Sequence, residues 1–132
     1  MLGEVVSETT GKRIVSRVLS TEPPTVEVTF EDSGSMLGVA TSGMGTYTSV
    51  IGPDGNIHGE GHGLITTADG EVVTWKGSGQ GTLGAGGAVS YRGILYYRTA
   101  SQKLASLNSV PGVFEYEVDA EGKTQTKVWE WK

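Results

Sequence analysis

The chain has 132 residues, a formal net charge of −5 and no cysteine. That length suits a single domain, 1–132, with one core, and the missing cysteines exclude disulfides, thiolate metal sites and thiol nucleophiles. Ten basic residues are scattered among fifteen acidic ones, so no cationic face is offered to phosphates and no nucleic-acid partner is expected.

No apolar run approaches the length of a membrane span, and Met1-Leu2-Gly3-Glu4 does not read as the start of a secretory leader. A cytoplasmic protein with no membrane partner is the expectation. Glycine is over-represented, at 21 residues. The glycines alternate with β-formers and polar residues, which points to strands with close backbone approaches rather than to a disordered tract.

In chain order, β-rich runs cover 2–8, 12–19, 25–31, 35–41, 45–51, 56–67, 71–83, 87–98, 112–119 and 123–131. One turn device recurs between them. Gly52-Pro53-Asp54-Gly55, Thr67-Ala68-Asp69-Gly70 and Asp119-Ala120-Glu121-Gly122 each end an acid-bearing turn on glycine. This suits a type I turn closed by a left-handed residue, the three-residue hairpin. Glu8-Thr9-Thr10-Gly11 and Glu31-Asp32-Ser33-Gly34 read as weaker copies. One helix is expected over 100–109, with Ala100, Leu104 and Leu107 at helical spacing, Thr99 or Ser101 as cap and Pro111 as stop. The fold class is therefore all-β: an antiparallel up-and-down barrel of about eight to ten strands, closed to hide its edges, with a short helix over an end or an edge.

Three-residue turns also fix register. The 53–55 turn sets Tyr47 against Gly61 and Gly45 against Gly63. The 68–70 turn sets Gly63 against Trp75. A three-residue connection at Gly84–Gly86 would set Trp75 against Leu95 and Gly79 against Tyr91. The odd-numbered face then carries the rings and the glycines, and the even-numbered face carries His58, Glu60, His62 and Lys76. The odd face is expected to point inward, with large rings lying over positions that lack a Cβ. In the last hairpin, Phe114 faces Val128 and Tyr116 faces Thr126, while Trp129 and Trp131 fall on the outer side.

The segment from Gly45 to Tyr97, with its Gly-x-Gly strands, the string GTYTSV and the tyrosine-rich YRGILYY, resembles small uncharacterised microbial proteins with an allene oxide cyclase-like barrel. The resemblance covers the arrangement of residues 25–131. It implies an eight-stranded antiparallel barrel that forms homo-oligomers. Plant allene oxide cyclases bind a fatty-acid-derived epoxide in an apolar barrel cavity, but their catalytic positions find no residue-by-residue match here.

Two sets of residues are candidates for function. Tyr47, Trp75, Tyr91 and Tyr97 would line the interior, either as a filled core or as an aromatic pocket for a small apolar or planar ligand. Buried tyrosine hydroxyls need partners, which favours the pocket. His58, Glu60 and His62 share one strand face about 7 Å apart; they have the chemistry of zinc, iron or manganese ligands, although Lys76 opposite His62 would repel a cation. Gly79-Gln80-Gly81-Thr82-Leu83-Gly84 matches the dinucleotide fingerprint in letters. It lacks the helix that would aim N–H groups at pyrophosphate, so no nucleotide and no other cofactor is expected. The function expected is binding of a small apolar or aromatic molecule in the barrel. The alternatives are a cyclase, isomerase or metal-assisted enzyme, and a ligand-free oligomerising barrel joined through outer aromatics such as Trp129 and Trp131.

Overall fold

The structure, a computed structural model, describes residues 2–132. Eight antiparallel strands close into a barrel in simple sequence order. They are β1 (Leu2–Thr21), β2 (Pro24–Met36), β3 (Val39–Ile51), β4 (Asn56–Thr67), β5 (Val72–Leu83), β6 (Val89–Thr99), β7 (Gly112–Val118) and β8 (Lys123–Trp131). Each strand pairs with the next, and β1 pairs with β8 to close the wall. Among the described residues no helix is long and apolar enough to cross a membrane.

The three recurring turns form as the sequence predicts. Gly55, Gly70 and Gly122 donate to the carbonyls of Gly52, Thr67 and Asp119 at 3.1, 3.0 and 3.0 Å, with φ of +82°, +87° and +87°. Only glycine enters that region cheaply. The register they set follows: Tyr47 faces Gly61, Gly45 faces Gly63, and Gly63 faces Trp75.

Three expectations are corrected. Glu8–Gly11 and Glu31–Gly34 are not turns but the middles of β1 and β2, so the expected ten short runs merge into eight strands. The real β2–β3 turn lies at Leu37-Gly38, both with positive φ. Second, the β5–β6 connection holds residues 84–88, so Leu83 faces Val89, Trp75 faces Tyr97 and Gly81 faces Tyr91. The loop is longer by an even number of residues, so the register moves while every side chain keeps its face. Third, the α-helix expected over 100–109 is reduced to one 3-10 turn, Ala105–Asn108. So short a segment cannot sustain a helix by itself. It is held by a two-way clamp instead: Asn108 accepts from the Thr99 amide and donates to the Thr99 carbonyl, both at 2.9 Å.

That turn plugs one end of the barrel. Leu104 and Leu107 drop into a cluster with Val6, Met36, Val73, Leu95, Tyr97 and Val128. A second cluster, Phe30, Ile57, Tyr91, Tyr116 and Val118, fills the other end. The two are separate cores, bridged by Trp75 and Phe114, which pack against both. The waist between them is where the interior changes character.

Candidate functional site

The waist is built by inward-facing positions of all eight strands. As the sequence predicts, the odd-numbered residues of β3 to β6 point inward. On β2, β7 and β8 the even-numbered residues take that role, which brings in Phe30, Asp32, Phe114, Tyr116 and Thr126. Tyr47, Trp75, Tyr91 and Tyr97 all line the same cavity of about 90 Å³. This is several times the ~10–15 Å³ that admits one water, and it lies below the ~150 Å³ of an apolar cavity that takes benzene.

One side of the cavity is aromatic. Phe30 stacks on Trp75 at 6.5 Å and tilts against Tyr116 at 5.3 Å. Tyr47 meets Tyr91 and Tyr116 edge-on at 5.9 and 5.5 Å, the geometry that ring quadrupoles favour. The Tyr116 hydroxyl donates to Tyr47 at 3.3 Å, and Tyr91 shares a 2.5 Å bond with Ser49. Trp75 fits because its neighbours carry no Cβ. Its indole lies over Gly63 and Gly45, where any side chain would overlap the ring.

The other side is polar, and here the sequence reading missed the main residue. Asp32 points into the barrel, lines the cavity and accepts from the Thr9 hydroxyl at 3.1 Å. It sits in a cradle of two glycines. A Cβ on Gly43 would lie 2.8 Å from its Oδ1, and one on Gly11 would lie 2.7 Å from its Cβ. Thr126, the cross-strand neighbour of both Thr9 and Tyr116, has a buried Oγ1 with no protein partner. Tyr97 is 4% exposed and makes no hydrogen bond among the described residues. None of the residues lining the cavity is basic. The signal that would have found Asp32 is alternation: Val26, Val28, Phe30 and Met36 keep one parity straight through it.

Burial sets the protonation of this interior. It pushes the Tyr91 hydroxyl up to about 12 and raises Tyr47, Tyr97 and Tyr116, so all four remain hydrogen-bond donors. Asp32 is also raised, chiefly by burial, with the Thr9 hydrogen bond pulling the other way. A carboxyl raised in the fold binds its proton more tightly there than in the unfolded chain. Its stabilising effect is complete below its ordinary 3.8 and is lost as pH climbs through the raised value. Asp32→Asn is therefore expected to be more stable than the parent at neutral pH, with the advantage shrinking toward about pH 3. Urea unfolding of both proteins at the two pH values checks this, and an advantage that grows on acidification would contradict it.

The outer face holds the other candidate set. His58 and Glu60 approach to 3.6 Å, and His62 faces Lys76 across the ladder. Among the described residues no three His, Asp or Glu side chains come together to hold an ion. The His58 and Glu60 side chains bridge the roughly 7 Å between alternate strand positions, but no third such side chain joins them. The glycine-rich 79–84 string runs along β5 into the β5–β6 connection.

No protein-family model matches the chain, and no curated protein matches its sequence. Solved structures do. A protein of unknown function from Clostridium acetobutylicum superposes with a TM-score of 0.81 at 16% identity, covering 98% of each chain. A β-barrel-like protein from Acinetobacter baumannii gives 0.83 at 12% identity, covering 100% of this chain and 96% of the other. An enzyme from Penicillium herquei gives 0.64 at 18% identity, covering 96% and 92%. At these identities the likeness is one of fold, and the eight-stranded closed barrel is what the chain shares with them.

Proposed function

We propose that the protein binds a small, largely apolar molecule in the waist of its barrel. The observation that carries this reading is the gap between two well-packed cores, walled by rings on one side and by Asp32, Thr126 and Tyr97 on the other. Buried polar groups are normally paired, and leaving the Thr126 hydroxyl without a partner costs about 1–3 kcal/mol. A solid core would have spared that cost with valine or phenylalanine. The size limits the ligand: the waist is smaller than the ~150 Å³ cavity that takes benzene and far below the roughly 300–1,000 Å³ of drug-sized pockets. A single ring is therefore the upper limit, entering only as the walls give way, and a long acyl chain of the allene oxide cyclase kind is excluded.

Saturation-transfer NMR with toluene, indole and phenol tests the reading. Transfer to at least one ring is expected in the parent and is lost in Thr126→Leu, which fills the waist. No transfer to any of the three, or equal transfer in the variant, would overturn it. A second reading, cyclase or isomerase chemistry, is favoured by one feature: a half-buried carboxyl with a raised pKa is suited to carry a proton. It predicts that a bound ligand is recovered chemically altered, and a bound ligand recovered unchanged by NMR counts against it.

A further inference from the structure

We infer that the waist selects a hydroxyl group on a small aromatic ring, a ligand of the phenol class, with Asp32 as the group that recognises it. The inference rests on the cavity reading above and deepens it. It follows from matching donors to acceptors. Asp32 is an acceptor with one oxygen engaged by Thr9 and Oδ1 facing the glycine gap at Gly43. Among the described residues the buried Thr126 hydroxyl has no partner, and Tyr97 makes no hydrogen bond.

A hydroxyl both donates one bond and accepts two, so it satisfies Asp32 and a neighbouring hydroxyl at once. An ammonium could donate to Asp32 and to the Tyr97 and Thr126 oxygens, but it offers no lone pair, so the protons of those two hydroxyls would still lack an acceptor. A carbonyl offers no proton and would leave Asp32 unmet. A carboxylate finds no basic side chain in the lining, Arg13 acting on Tyr47 and Tyr116 from outside it, and it would pay the cost of desolvating its charge beside a second carboxyl. The aromatic half of the waist sets the rest of the ligand: Phe30, Trp75 and Tyr116 present ring faces and edges, which a planar ring matches better than a chain.

Dissociation constants for phenol, toluene, benzylamine and benzoate, measured by titration NMR on the parent and Asp32→Asn, test this. Phenol is expected to bind about tenfold or more tighter than toluene, as a hydrogen bond to a charged or buried acceptor implies. Benzylamine and benzoate are expected to bind more weakly than phenol. In Asp32→Asn the phenol preference falls toward that of toluene, while toluene itself is unchanged. Asparagine still accepts from Thr9. Should that variant not fold, Tyr97→Phe makes the same comparison by removing one hydroxyl, and it too is expected to weaken phenol and spare toluene.

Equal affinity for phenol and toluene, or tighter binding of benzylamine, would overturn the inference while leaving the cavity reading intact. Failure of every probe, toluene included, would overturn both.

Discussion

Trp75→Ala is expected to destabilise the barrel by about 3–5 kcal/mol, the largest loss of any single side chain. Trp75 is not the most buried residue, but it is one of two that touch both cores. Removing it opens the space over Gly45 and Gly63, where neither neighbour has a side chain to collapse inward. The cavity term is therefore close to its maximum. It also takes the stacking partner from Phe30 at 6.5 Å. Urea unfolding followed by circular dichroism reads the loss. The slope with urea should stay the same, because the fold and its buried surface are otherwise unchanged. A loss below about 1 kcal/mol would mean that the two cores do not depend on their bridge.

Gly11→Ala is expected to cost about 3 kcal/mol or more, through overpacking rather than backbone conformation. A Cβ at Gly11 would overlap the Glu31 carbonyl oxygen and would lie 2.6 Å from the Asp32 Cα. Both are backbone atoms in a paired ladder, so neither can turn aside. The strands would have to part next to Asp32. Gly55→Ala is the control. Gly55 has φ +82° with nothing within 4 Å of a built Cβ, so it loses only the left-handed preference, about 1–2 kcal/mol. If the two variants lose the same stability, the close approach of β1 to β2 is not what requires glycine at position 11.

These two glycines also explain what could and could not be read from the sequence. Turn chemistry carried the central meander. An acid followed by a left-handed glycine fixes loop length, loop length fixes register, and register fixes which face is buried. Tyr47 and Trp75 were placed in that way; Tyr91 and Tyr97 kept their expected face only because the β5–β6 loop exceeds its expected length by two residues, and all four line one cavity. Gly11 and Gly34 carry the same local signature, yet they lie in mid-strand, where the glycine answers a neighbouring strand and not its own chain. Local sequence does not separate these two uses. Asp32 was consequently read as a turn residue, and the polar half of the site went unseen. The helix over 100–109 failed for a related reason: the leucine spacing reports burial of Leu104 and Leu107 under the barrel end, which one 3-10 turn achieves as well as an α-helix.

The decisive property of the barrel is whether a small ring enters the space between its two cores. Intermolecular NOEs between phenol and the protein measure that directly. Contacts are expected from the ring protons of phenol to those of Phe30, Trp75 and Tyr116. Contacts confined to the outer Trp129 and Trp131, or none with phenol in excess, would mean that the barrel's interior is closed to ligands.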